Sequence, residues 1–160
     1  MRSIPVSPAI MWTVVFCLAL AAQALPPEQW LLSSRLPMPV FWTLLPFWSL
    51  WVLISAWVHR HQVVWSAQRV EHLVKAGPYS VIRHPIYVAD IVLCVLLFLV
   101  TPTLRSLVVF GGAALVFLSW ARLEDQVLRR RFGTEWALYA DQVPAFIPRL
   151  SKLRHPTHEP

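Results

Sequence analysis

The sequence predicts an all-α, polytopic membrane protein with four transmembrane helices and a cytoplasmic amphipathic C-terminal helix. Three observations lead there. Of 160 residues, 57% are hydrophobic and only 14% charged, whereas soluble domains carry about a quarter charged residues. Four apolar runs, about 9–25, 40–58, 85–100 and 104–121, contain only Asp90 and Arg105 as charged side chains, and a span wants ~20 apolar residues. Lys and Arg are also distributed unevenly. With Arg35 and Arg105 on one side, the other twelve of the 14, from Arg2 and Arg60 to Arg154, fall on the other. The positive-inside rule then puts both termini in the cytoplasm.

The first run follows Arg2 and reaches Leu25. It reads as the first helix, although Ala22-Gln23-Ala24 also resembles a leader-cleavage site. The fate of residues 1–24 stays open between the two. Pro26-Pro27 ends the run. The second, Val40–Val58, carries Trp42, Trp48, Trp51 and Trp57 and is expected to bend at Pro46, which lacks a backbone donor. His59-Arg60-His61 stops it. Across 62–76, Val63, Val64, Ala67, Val70, Leu73 and Val74 recur at helical spacing, which predicts an interfacial helix closed by Gly77-Pro78.

Pro85 suits the first turn of the third helix, where its missing N–H costs nothing. Thr101-Pro102-Thr103 turns that helix sharply into the fourth, so the two must be antiparallel neighbours. Beyond Arg122 the pattern becomes amphipathic. Leu128, Phe132, Trp136, Tyr139 and Val143 form an apolar stripe, with Arg129, Arg130 and Arg131 off it and in reach of lipid phosphates. Gly133 interrupts this arm, and Pro144 and Pro148 end it. Residues 1–150 thus read as one integral-membrane domain and 151–160 as a disordered tail.

The formal charge of +6 does not signal nucleic acid, because no basic run is interleaved with stacking aromatics. Cys17 and Cys94 both lie in apolar runs and support neither a metal site nor a disulfide framework.

Polar chemistry gathers at the mouth of the third helix, in Gly77 to Tyr87. From there Tyr87, Asp90 and Cys94 make one stripe entering the bilayer. Asp90 is the one acid in the central part of a spanning run, a costly placement that requires protein or water around it. A structural and a functional role are both open to it. The second candidate is Glu124-Asp125 near the end of the fourth helix. The tight turn at Thr101 brings Glu124 to the level of His84. An acid facing His, Arg and Tyr at one membrane edge suits a cationic or zwitterionic ligand.

The ordered set Leu73-Val74, Gly77-Pro78-Tyr79, Arg83-His84-Pro85-Ile86-Tyr87, Glu124-Asp125, Arg131-Phe132-Gly133, Tyr139 and Val143-Pro144…Pro148 resembles the isoprenylcysteine carboxyl methyltransferase family, which is related to the membrane phospholipid N-methyltransferases. The resemblance covers roughly 70–148. It implies a membrane enzyme using S-adenosylmethionine, and the chain has no Gly-rich strand–helix fingerprint of soluble methyltransferases. By the same resemblance the cofactor contacts fall on His72, Leu73, Val74, Tyr79, His84, Pro85, Ile86, Tyr87 and Glu124. His84 and Arg83 are the candidates for catalytic roles, with His84 as general base where the acceptor has a proton to lose.

The chain departs from the family pattern in having Ala89 where a Gly is usual, followed by Asp90. Trp120 stands where prenylcysteine enzymes have a substrate-binding Arg. These departures point away from a prenylated protein and toward a lipid-like or small amphiphilic methyl acceptor. Acceptor selection is expected around Trp120, Asp90 and the N-terminal helices. The acceptor atom (carboxyl oxygen, nitrogen or sulfur) is open. Two other readings compete. One is a non-enzymatic module that binds anionic lipid or a partner protein through its basic face; the other is a nicotinamide-dependent reductase of related architecture.

Overall fold

A computed structural model describes residues 7–26, 30–58 and 72–149. The described residues form helices and loops with no strand beyond one isolated bridge, in agreement with the all-α expectation. Helix α1 spans Pro8–Ala21 and runs into a 3₁₀ turn at Ala22–Ala24. Ser7 caps it by accepting a hydrogen bond from the Ala9 amide. Helix α2, Met38–Val58, contains Pro46 without interruption. Helix α3 is Pro85–Val100, with Pro85 at its first position as expected.

Helix α4 runs from Leu104 to Phe132, with one stretch of π-helix at Leu107–Gly111. The predicted fourth span therefore continues without a break into the amphipathic arm. Gly133 then stops the helix in a positive-φ conformation (φ 51°) that residues with a Cβ rarely adopt. Helix α5, Thr134–Gln142, follows.

Two helices, α2 and α4, are long and apolar enough to cross a membrane by length and composition. The segments Pro8–Ala24 and Pro85–Val100 are apolar but shorter. Where the sequence predicts four spans, the structure thus shows two of full length. The predicted interfacial helix over 62–76 falls mostly on residues outside those described. Its last part, His72–Ala76, is irregular chain, and Gly77–Ser80 forms a 3₁₀ turn instead of a helix end. The tail from Leu150 also lies outside the described residues.

The α3–α4 turn is built by local chemistry. Thr103 and Ser106 make a reciprocal capping box, with the Ser106 amide donating to Thr103 Oγ1 (3.1 Å) and the Thr103 amide to Ser106 Oγ (3.0 Å). The chain between α1 and α2 crosses beneath this turn, where the Leu31 amide donates to the Pro102 carbonyl and the Leu36 amide to that of Leu99. Arg105 donates to the Gln23 side chain and to the Gln23 and Leu25 carbonyls, which satisfies orphan acceptors at the end of α1.

In the bundle, α2 packs chiefly on α3, α3 on α4, and α1 on α4. The core under α1 is Met11, Cys94, Ala113 and Phe117, with Tyr87, Ile91 and Trp120 against it. Outward faces carry exposed Phe16, Trp42, Phe47, Leu53 and Trp57, an apolar coat suited to lipid. Trp51 Nε1 donates to the Pro85 carbonyl (2.9 Å) and ties α2 to the mouth of α3. Trp51→Phe removes this bond while keeping the ring. The expected loss is about 1 kcal/mol, read as a midpoint of thermal unfolding in detergent lower by roughly 2–4 °C.

Candidate functional site: a cavity at the mouth of α3

The start of α3 is fixed from three directions. The Arg83 and His84 amides donate to the Pro144 and Ala145 carbonyls (2.9 and 3.2 Å), so the loop after α5 pairs with the chain just before α3. The Arg83 guanidinium reaches further. One Nη donates to the Ala140 and Val143 carbonyls (3.0 and 2.8 Å) and the other to Asp125 (2.9 Å). A single planar fork thereby caps the C-terminus of α5 and ties it to α4. The Tyr139 hydroxyl donates to the Tyr79 carbonyl (2.7 Å) and closes the third side.

His84 is buried and lies between the two acids of α4. Its Nε2 is 3.1 Å from Asp125 Oδ1, and its Nδ1 is 3.8 Å from Glu124 Oε2. The Phe146 and Tyr87 rings flank the imidazole, with centroids at 5.5 and 5.7 Å. Tyr87 in turn hydrogen-bonds to Glu124 and stacks on Phe117. Burial, and then the charge of Glu124, pushes the Tyr79 hydroxyl well above the ordinary tyrosine range. Burial likewise pushes Tyr139 up to about 12, with Arg83 pulling down and Asp125 pushing up. Both phenols therefore stay protonated donors throughout the physiological range.

These groups surround a cavity of about 290 Å³, at the small end of ligand clefts. Its polar wall holds Tyr79, Arg83, His84, Tyr87, Asp90, Glu124, Asp125 and Tyr139. Leu73, Val74, Pro85, Ile86, Leu128 and Trp136 continue the wall. Its far side comes from α1 (Pro8, Met11, Trp12) and from Ala56 of α2. Of the cofactor-binding and catalytic candidates named from the sequence, all line the cavity except His72, which is exposed and outside the wall.

Trp120, expected beside the acceptor, packs instead into the core with Met11, Cys94 and Phe117. Six contributors were not singled out for the site in the sequence: Pro8, Met11, Trp12, Ala56, Leu128 and Trp136. Asp125 is the most consequential partner whose role the sequence left undefined, since it holds both Arg83 and His84. Its signal was present in the pairing with Glu124, but adjacent helical residues point about 100° apart and sequence alone does not say which faces which group.

With this geometry in place, comparison with known proteins assigns the class. The model of the phospholipid methyltransferase family matches residues 36–135, and the chain belongs to that family. Two curated relatives are each 40% identical over 90 residues, or 56% of this chain: the nickel-cobalt-cadmium resistance protein NccN of Alcaligenes xylosoxydans xylosoxydans and the cobalt-zinc-cadmium resistance protein CzcN of Cupriavidus metallidurans. The chain spans about two fifths of their length, 42% and 41%. No solved structure matches. Among the described residues, no three His, Cys, Asp or Glu side chains gather as a metal-binding group.

Proposed function

We propose that this protein is an integral-membrane methyltransferase that uses S-adenosylmethionine to methylate a lipid-like or small amphiphilic acceptor. The observation that carries this reading is the cavity at the mouth of α3, whose wall joins the acids Glu124 and Asp125 to the buried donors of Arg83 and Trp136 and to aromatic rings. Glu124 is free of any Lys or Arg partner among the described residues, so it can hold the cofactor's ammonium. Arg83 Nε and Trp136 Nε1 are buried donors without a partner, and both residues line the cavity. Unsatisfied buried donors are costly, and the cofactor's carboxylate fits them. The tyrosine hydroxyls suit the ribose, and the rings of Tyr87 and Trp136 suit a sulfonium. The zwitterionic cofactor therefore fits the residues present.

When bound, S-adenosylmethionine supplies an electrophilic methyl group. The protein's part is orientation and exclusion of water. Arg83 holds the α5 arm over the cavity through Asp125 and the α5 carbonyls, while burial of His84 and Tyr79 keeps the floor dry. Asp125 orients His84 through Nε2, which leaves Nδ1 facing Glu124 and available to take a proton from an acceptor that has one to lose.

Four spans with both termini and the cavity on the cytoplasmic side, all within one membrane domain over 1–150, complete the proposal. It is supported by the two full-length helices, the two shorter apolar ones and the distribution of Lys and Arg. Helices α1 and α2 pack on opposite flanks of the α3–α4 pair yet both wall the cavity, which favours an acceptor arriving from the bilayer.

The test is binding of S-adenosylhomocysteine to detergent-purified protein. Glu124→Gln and Tyr87→Phe are each expected to weaken it by about tenfold or more, the scale of one charge-assisted or buried hydrogen bond. Absence of binding at millimolar ligand would sink the proposal. A second reading, a non-enzymatic module acting through its basic face, is favoured by the exposure of Arg129, Arg130 and Arg131. It requires that neutralising these three abolish function while Glu124→Gln does not.

A further inference from the structure

The last turns of α4 carry opposite charges on opposite faces. Glu124, Asp125 and Leu128 line the cavity. Arg122, Gln126, Arg129 and Arg130 are exposed and recur at helical spacing along one face, roughly opposite that of the acids. Arg122, Arg129 and Arg130 take part in no ion pair among the described residues. The nearest acids in sequence are turned away from them. Asp125 is held by Arg83 and His84, Glu124 faces His84, and Glu135 pairs with Lys75 at 2.8 Å.

Helix length sets where this basic face stands in a bilayer. Residues 106–121 of α4 carry no charge and rise about 24 Å, against ~30 Å of hydrocarbon. At the near end Arg105 is engaged by the Gln23 and Leu25 carbonyls, so Arg122 stands at the far edge of the hydrocarbon. Arg129 and Arg130 come about 10–12 Å later along the axis. Side chains on a helix lean toward its N-terminus, and that direction runs back into the bilayer here. All three guanidinium groups therefore reach down toward the headgroup layer instead of out into water. The α5 arm lies at the same depth, because Arg83 ties the Ala140 and Val143 carbonyls to Asp125. Leu138 and Ile147 of the arm are 62% and 81% exposed, an apolar pair suited to the interfacial layer.

We propose that the face of α4 formed by Arg122, Arg129 and Arg130 is a docking surface for anionic phospholipid headgroups of the surrounding leaflet, bound outside the cavity and not as a reactant. A guanidinium fork takes two phosphate oxygens at once, and an anionic leaflet attracts basic residues at its surface. The same turns carry Glu124 and Asp125 on their other side. Lipid on the basic face therefore fixes the depth of the cavity mouth in the headgroup layer and keeps the α5 arm against the membrane. This holds whether or not the cavity is a methyltransferase site.

The test titrates the full chain in neutral detergent with phosphatidylglycerol and phosphatidylcholine of identical acyl chains, counting bound lipid by native mass spectrometry. Shared chains leave the headgroup as the only difference. Wild type is expected to bind phosphatidylglycerol at least about tenfold more tightly. Combining Arg122→Gln, Arg129→Gln and Arg130→Gln is expected to bring the two lipids within about twofold, whereas Lys at the same three positions keeps most of the preference. Arg35→Gln, on a different segment, should leave it unchanged. Equal binding of the two lipids by wild type overturns the inference and needs no variant to fold. So does a preference that survives the triple Gln substitution. Displacement of phosphatidylglycerol by millimolar inorganic phosphate overturns it in favour of a free-anion site. Binding of a hexaglutamate peptide without any lipid preference overturns it in favour of an acidic protein partner.

Discussion

Asp125→Ala is expected to lower the midpoint of thermal unfolding in detergent by on the order of 10 °C. The substitution removes the shared partner of Arg83 and His84, whose side chains and that of Asp125 are all less than a fifth exposed. Breaking a buried pair by deleting one member costs roughly 3–5 kcal/mol, because the other charge is left uncompensated, and each kcal/mol moves the midpoint of a chain this size by about 2–4 °C. The local consequence is larger than the stability loss suggests. Arg83 is the fork that holds the Ala140 and Val143 carbonyls, so a guanidinium without its carboxylate loosens the whole α5 arm. Limited proteolysis is expected to cut between α4 and α5 in the variant and not in the wild type. Asp125→Asn keeps the acceptor oxygen and should lose about half as much. A midpoint within 2 °C of wild type for Asp125→Ala would show that Arg83 is held by the α5 carbonyls alone.

Gly112→Leu is expected to separate α1 from α4 and to weaken ligand binding at a distance. A Cβ on Gly112 would stand 2.3 Å from Leu18 Cδ2 and 3.4 Å from its Cγ. In Gly112→Ala two effects oppose each other. Helix propensity gains up to ~1 kcal/mol, while overpacking costs about 1–3 kcal/mol, reduced because the flexible end of Leu18 can turn aside. That variant should lie near neutral. Leu at 112 exceeds what a rotamer change can absorb, so α1 itself must move. In lipid no hydrophobic driving force pulls it back, since helix association there depends on close packing of small residues. The carrying consequence is at the cavity, because Met11 and Trp12 on α1 form its far wall. Binding of S-adenosylhomocysteine to the detergent-purified protein should weaken in Gly112→Leu and hold in Gly112→Ala.

How much of this was legible in the sequence depended on whether local chemistry decided the outcome. Pro85 at the first turn of α3 and Thr101-Pro102-Thr103 at the hairpin were readable, since a missing donor and a capping box act within a few residues. Tyr79, His84, Tyr87 and Glu124 were readable as one group because the hairpin fixes their level. His72 was not, because it lies on irregular chain before the 3₁₀ turn, where spacing carries no information about direction. Trp120 was placed at the site from its position in a pattern, but it packs against the core formed by Met11 and Cys94 of neighbouring helices and Phe117 of its own. Met11, Trp12 and Ala56 left no signal. They lie on helices apolar on every side, and only packing decides which part of such a surface meets a cavity. The expectation of four spans is met in part. Apolar runs announce themselves by composition, but α1 and α3 are shorter than α2 and α4, the two helices long and apolar enough to cross a membrane.

Spatial order in the bundle is α2, α3, α4, α1, whereas the chain makes α1 first. This has a consequence for biogenesis. The helix that covers α1 is the last of the four to leave the ribosome, and α2 must wait for α3. Through that interval the segment from Trp30 to Leu36 lacks its partners, because Leu99, Pro102 and Thr103 have not yet been made. A nascent chain stopped at that turn offers Met11 of α1 only Cys94 and its neighbours on α3, and lacks Ala113 and Phe117 of α4 that complete its core.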